Sequence, residues 1–381
     1  MPYHSPWMTD ELDAFRDQFR RFLTTDLAPS AGEWRRNRMV DRAAWTALGR
    51  MGALLPSIPE EYGGLGGTFA HDAAVLEDLE RIVPEMVGGV AVSSAIVAHY
   101  IAQYGTEEQK RRWLPRMASG ELVGAIAMTE PGTGSDLQQI RTTAKRRGNG
   151  YVINGQKTFI TNGQSADIIL VVARTGDAGG KGLSLLVLEA EGCAGFRRGR
   201  KLDKMGLHAS DTSELFFDDA VVPPENLVGE AEGQAFAQLM QQLPRERLIL
   251  AIGAVTAMER AVEMTVGYTK ERHVFGQPVF SFQNTAFTLA ECKTQATIAR
   301  VFLDWCIGQE IAGELDAVTA SMAKWWCTER QARTMDECLQ LHGGYGCMDE
   351  YPISRMFVDA RMQAIYGGTN EIMKLMIARS L

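Results

Sequence analysis

Apolar residues at Leu12, Phe15, Phe19, Phe22 and Leu23 fall three and four apart, the spacing of one helix face. Thr9 or Asp10 stands where a cap belongs, with acids in the first turn. The same period predicts helices over about 42–51, 71–82, 88–104 and 107–119, broken by Pro56, Pro59 and the Gly63–Gly67 cluster. Residues 1–122 therefore read as a helical domain. From 123 to 232 the period shifts to two. Tyr151–Ile153 and Thr158–Thr161 flank Asn154-Gly155, a hairpin signal, and 168–173, 183–188 and 214–222 are further strand-like runs. From 233 to 381 the helical period returns, with long helices expected over about 234–272, 282–312, 315–342 and 352–362. The fold class expected is α+β: an N-terminal helical domain, a central antiparallel β-barrel-like domain and a C-terminal four-helix bundle.

Composition changes this picture little. The 381 residues are 45% hydrophobic and 23% charged, enough chain for several domains. A net charge of −8 gives no general nucleic-acid footprint. The six cysteines form no C-x-x-C pair and no metal spacing, which suits a reducing compartment. The first residues lack a basic segment followed by an apolar one, and the clearest uninterrupted apolar run, Leu248–Val255, is too short to span a bilayer. The expectation is a soluble cytoplasmic protein without a membrane or nucleic-acid partner.

Two stretches carry candidate chemistry. Gln340–Arg379 holds the pairs Gly343-Gly344 and Gly367-Gly368, then Thr369-Asn370-Glu371 and helical spacing at Ile372, Leu375 and Met376. It reads as a helix N-terminus capped by Thr369 or Asn370, a place that favours anions. The second stretch is Ala127–Thr161. No G-x-G-x-x-G follows a strand in a βαβ unit, and Gly132-Thr133-Gly134-Ser135 lacks the Lys-Ser/Thr of a P-loop.

In order along the chain stand PEEYGGLGG (Pro59–Gly67), MTEPGTGSD (Met128–Asp136), FITNG (Phe159–Gly163), ERHVFGQP (Glu271–Pro278) and the glycine stretch above. From about residue 10 to the end the sequence resembles the acyl-CoA dehydrogenase family, nearest its long-chain and isovaleryl branch. The resemblance implies the three-domain fold of that family and an FAD cofactor. Met128 and Thr129 match contacts to the flavin pyrimidine edge, Ser135 a pyrophosphate contact, Phe159 the aromatic flanking the ring and Thr161 the hydroxyl near N5. Arg272, Phe275 and Gln283 match contacts to the nucleotide end of FAD bound by a neighbouring subunit. Gln340 and Gly344 match further contacts to that tail, and Thr369 and Glu371 contacts on the flavin side. Val274 departs from the Thr common in relatives.

The reaction implied is α,β-desaturation of an acyl-CoA thioester. A carboxylate takes the α-proton and the β-hydride goes to flavin N5. Many relatives carry that base directly after the Tyr of an IYEGT motif; here the motif is IYGGT and the position is Gly367. The branch it resembles places the base before an Arg on an earlier helix, so the role carries to Glu246, followed by Arg247 in LPRER. Gly367 keeps the backbone N–H that would face the thioester oxygen. Burial should raise the pKa of Glu246 and Arg247 should lower it. Pro244 is expected to disturb the helix just upstream.

Ser135, Arg247 and Arg379 match positions near CoA or the site entrance. Gly88, Gly89, Ala91, Ser93, Ser94 and Ala95 are small, which suits either close helix packing or room for a medium, long or branched acyl chain. The resemblance further implies an electron-transferring flavoprotein as acceptor and a homo-oligomer, the tetramer being the family's usual state. Two alternatives stay open at this point: an acyl-CoA oxidase using O2, and a catalytically altered acyl-CoA-binding flavoprotein.

Overall fold

The computed structural model describes residues 3–177 and 179–381. Its first part is helical: α1 (Asp10–Phe22), α2 (Ala31–Asn37), α3 (Arg42–Arg50), α4 (Phe69–Ile82), α5 (Pro84–Val90), α6 (Ala98–Tyr104) and α7 (Glu107–Ala118). Thr9 caps α1 by accepting from Leu12 N at 3.2 Å. Thr68 and Thr106 open α4 and α7 with reciprocal capping boxes. A π-helical segment, Ala91–Val97, joins α5 to α6. The resulting rod, Pro84–Tyr104, is long and apolar enough to cross a membrane, with a mean hydropathy of 1.4. The sequence pattern predicts a helix over about 88–104 but not a span of this length and apolarity, because small and polar residues interrupt its apolar run. Here 61% of that window is buried inside the protein. Its small residues serve close packing: Ser93 Oγ accepts from Gly124 N and Ser94 Oγ from Leu55 N, both at 2.9 Å. A Cβ on Gly89 would stand 3.3 Å from the Trp45 ring.

The middle part is one seven-stranded sheet: β1 (Gly124–Ala127), β2 (Thr143–Arg147), β3 (Gly150–Thr161), β4 (Ile168–Arg174), β5 (Leu183–Glu189), β6 (Phe196–Lys201) and β7 (Thr212–Val222). The order is β1-β4-β2-β3-β7-β6, with β5 on β4. It is mixed, which corrects the expected antiparallel arrangement: β1 and β2 both run parallel to β4. A parallel pair needs a long crossover, and the loop after β1 with the β2–β3 hairpin supplies it. Asn154-Gly155 is not the turn. It lies inside β3, where the register to β7 slips between Ile153 and Gly155. The bulge is stable because the Asn154 side chain donates to Asp219 Oδ1 and accepts from Asp219 N, each at 2.9 Å. The reversal comes earlier, at Gly148-Asn149 between β2 and β3, with Gly148 at φ 55°.

The last part holds α8 (Ala235–Glu271), the short hairpin β8 (His273–Val274) and β9 (Gln277–Pro278), then α9 (Gln283–Ile311), α10 (Ala317–His342), α11 (Pro352–Gln363) and α12 (Asn370–Ala378). Helices α8 to α11 pack as the expected bundle, and α12 adds itself to α10. Helix α8 stays continuous through Pro244. It is buried nearly all round from Leu248 to Met258, because α4 covers it on one side and α9 and α10 on others. A side chain pointing out of this stretch therefore meets protein rather than solvent.

Candidate active site

Glu246 lies on α8 two residues before that stretch and is 8% exposed. The Tyr100 hydroxyl on α6 donates to its Oε1 at 2.8 Å. Burial pushes the Glu246 carboxyl up to about 7, and the Tyr100 hydrogen bond and the Arg247 charge only partly oppose this. Burial is thus the stronger of the two effects that the sequence left competing. A base with a pKa near neutrality is partly ionised at neutral pH and still basic enough to take a proton from carbon. Arg247, also buried, donates from Nη1 to Ser321 Oγ at 3.2 Å.

One turn beyond Glu246, Leu250 touches the glycine pair. A Cβ on Gly367 would lie 2.3 Å from Leu250 Cδ1, and Gly367 has φ +65°. Glycine is required there twice over, for conformation and for space. The pair is anchored by a residue that sequence reasoning missed. Lys324, fully buried on α10, donates to Gly368 O at 2.7 Å and Asn370 Oδ1 at 3.0 Å. Burial draws its ammonium down to about 7, with Glu371 opposing and Arg247 assisting. Thr369 is the cap of α12, accepting from Ile372 N. Glu371 stays exposed, held below its ordinary pKa by its own backbone N–H and by Thr369. The structure therefore brings Glu246, Arg247, Gly367, Thr369 and Glu371 into one neighbourhood.

A second group lies on the sheet. Met128 and Thr129 follow β1, and Thr129 O accepts from Thr158 N at 2.9 Å. Phe159 leaves the strand pattern at φ 60° and is 68% exposed. Routine strand packing would bury it; instead the ring is turned out to solvent, two residues before half-buried Thr161. The segment is held by a second missed feature. Lys157 Nζ, fully buried, donates to Met128 O and Glu130 Oε1, each at 2.9 Å. Glu130 also accepts from the N–H groups of Arg141 and Thr142. A charged residue at an inward strand position was the available signal. Lys157→Met strips Glu130 of its countercharge, so we expect a loss of about 3–5 kcal/mol and weakened flavin retention. Denaturant unfolding and the visible spectrum check this; an unchanged flavin content would exclude the clamp.

The third group is solvent-facing. Arg272, Phe275, Gln283, Gln340 and Gly344 are all exposed, Phe275 at 96% on the tip of the β8–β9 hairpin. The Arg272 guanidinium lies 5.9 Å from the Tyr345 ring centroid, which draws Arg272 to the segment carrying Gly344. A Cβ on Gly344 would meet nothing within 4 Å, as would one on Gly132 or Gly134. Such bare backbone suits the close approach of a dinucleotide. Ser135 and Arg379 are exposed too, on the loop after Met128 and at the end of α12. Among the described residues no hydrogen bond joins this group to Phe159 or Thr161. The residues present fit FAD, with Phe159 and Thr161 for the ring and the bare glycines for the phosphates.

A buried near-neutral carboxyl, an exposed aromatic on the sheet and bare glycine backbone together suit a flavoenzyme that oxidises an acyl thioester. Family models bear on the whole chain: the acyl-CoA dehydrogenase N-terminal domain matches residues 9–121, the middle domain 125–220 and the C-terminal domain 233–381. The chain belongs to the acyl-CoA dehydrogenase family, oxidoreductases of CH–CH bonds that use FAD. It is 46% identical over 98% of its length to the mitochondrial long-chain specific acyl-CoA dehydrogenase of Mus musculus, covering 87% of that protein. It is similar in structure to an acyl-CoA dehydrogenase from Geobacillus kaustophilus, at a TM-score of 0.96 and 47% identity, with 99% of each chain covered. A chain in a structure of the electron transferring flavoprotein of Acidaminococcus fermentans matches with a TM-score of 0.94 and 34% identity, over 100% of this chain and 99% of that one.

Proposed function

We propose that this acyl-CoA dehydrogenase desaturates a medium-chain, long-chain or branched acyl-CoA with Glu246 as its base. The observation that carries the reading is a buried, near-neutral carboxyl one helical turn from the residue that touches Gly367. FAD, when bound, accepts the β-hydride. The remaining work falls to side chains and backbone of this chain. Glu246 removes the α-proton in a site the bundle keeps dry. The Gly367 N–H, held in place through Lys324, receives the thioester oxygen as charge builds on it. Arg247, Ser135 and Arg379 serve the CoA end.

The acyl chain runs beside the α5–α6 rod. Gly88, Val92 and Ile96 are partly exposed at four-residue intervals, and the next position in that series is Tyr100, which bonds Glu246. A Cβ on Gly88 would meet only Ser210, at ordinary contact distance. An electron-transferring flavoprotein is the acceptor we favour, on the resemblance and on the neighbour that carries that name. Self-association, as a tetramer, is supported by exposed Phe287, Ile298, Val301 and Trp305 along α9, Trp305 at 53%. Six free thiols support a cytoplasmic setting.

The test is anaerobic titration of the purified yellow protein with butyryl-, octanoyl-, palmitoyl- and isovaleryl-CoA, with its solution mass measured alongside. Bleaching by the longer or branched thioesters is expected. No bleaching by any of them would leave a non-catalytic binder, strict preference for butyryl-CoA would overturn the chain-length reading, and rapid recolouring in air would mark an oxidase.

A further inference from the structure

Tyr100 has a place in this site that goes beyond packing. Its side chain is 0% exposed and its ring lies 6.1 Å from that of Tyr104. Burial and the neighbouring Glu246 carboxylate both push its phenol pKa well above the ordinary value, so it stays protonated across the working range. The group is therefore a permanent donor, and Glu246 Oε1, at 2.8 Å, is its acceptor. Among the described residues no hydrogen-bond partner stands against Glu246 Oε2.

The other charged groups around the carboxylate do not compete for Oε1. Arg247, its neighbour on α8, directs Nη1 to Ser321. Lys324 on α10 is committed to Gly368 and Asn370, and Glu371 on α12 acts on Lys324. Arg245 turns away toward Asp72, Glu310 and His99. A single neutral donor from α6 is left to orient the base.

We propose that Tyr100 is a positioning residue for Glu246: its hydroxyl holds Oε1 so that Oε2 is the atom that takes the α-proton. This rests on Glu246 being the base. In the step, the α C–H bond breaks and an O–H bond forms on Oε2. The electron pair left at the α-carbon becomes the new C=C bond as the β-hydride passes to FAD. Tyr100 keeps its own proton throughout, since its phenol is far less acidic than the carboxyl, and Oε1 accepts more weakly once Oε2 is protonated. A hydrogen bond to the charged form also lowers the base's pKa, so the same contact sets the pH at which the site switches on.

The test is Tyr100→Phe in the FAD-loaded enzyme, reading kcat/KM against pH and anaerobic exchange of the acyl-CoA α-proton in D2O. Losing one hydrogen bond to a carboxylate corresponds to about one pH unit. The acid limb should move up by about that much, leaving turnover roughly tenfold low at pH 6 and within about threefold of the parent at pH 9. A fluorotyrosine at position 100 keeps the ring and strengthens the donor, so it should move the limb the other way. It also carries the test if the Phe variant does not fold. Glu246→Gln is run beside them. An unmoved acid limb in the Tyr100 variants, with exchange lost in Glu246→Gln, overturns the role of Tyr100 alone. Exchange that survives in Glu246→Gln overturns the base assignment as well.

Discussion

Glu246→Gln keeps its FAD and lowers desaturation by about 10²- to 10⁴-fold, the usual worth of a general base. Acyl-CoA still binds, so KM changes less than kcat. In the parent enzyme, activity rises with pH through about 7, because burial raises the Glu246 carboxyl to that value and only the ionised form accepts a proton. Stability moves the opposite way. The folded state holds a proton that the unfolded chain, with an ordinary value of 4.5, has released. The carboxyl's contribution is therefore intact below about 4.5 and lost as pH climbs to 7. A shift from 4.5 to about 7 corresponds to about 3 kcal/mol. The Gln variant should gain that at pH 8 to 9 and little at pH 4. Steady-state kinetics and melting curves at both pH values check the pair of effects. Near-normal turnover in Glu246→Gln would remove the assignment, and the reading would pass to the exposed Glu371.

Gly367→Ala gives the second large effect. The added methyl carbon would lie 2.3 Å from Leu250 Cδ1, and the backbone holds a φ of +65° that an alanine disfavours. Leu250 is half-buried and able to shift, so the space can be relieved; the dihedral cannot. We expect a loss of about 1–3 kcal/mol in stability. Any displacement of the 367 N–H spoils its aim at the thioester oxygen, so kcat falls by roughly 10- to 100-fold. Adding Leu250→Ala removes the overlap and leaves the strained dihedral, so it restores packing more than rate. A Gly367→Ala enzyme with unchanged kcat would show that this N–H has no part in catalysis.

Much of this was legible in the sequence because it is local. The long helices announce themselves by period, and α10 and α11 begin within two residues of their expected starts. Glu246 was singled out by the resemblance, which places the base before an Arg on this helix when position 367 lacks a carboxylate. Contacts across the chain were not legible. Tyr100 meets Glu246 over 146 residues and Lys324 meets Gly368 over 44, and neither residue looks special among its neighbours. The Asn154-Gly155 hairpin failed for a related reason. A local turn signal was outcompeted by Asp219, 65 residues on, which satisfies the Asn154 side chain and keeps the strand running. The parallel pairing of β1 and β4 likewise depends on which strands meet, which alternation alone does not encode.

The contact between Leu250 and the 367 backbone also orders the mutational history open to this protein. An acidic side chain placed at position 367 would meet both Leu250 and a left-handed dihedral, so it is accommodated more easily where residue 250 has already been shortened. Taken in the other order, the intermediate carries the crowding and the strained dihedral together. The two positions are thus coupled: shortening residue 250 removes the crowding at 367, while the dihedral there still favours glycine.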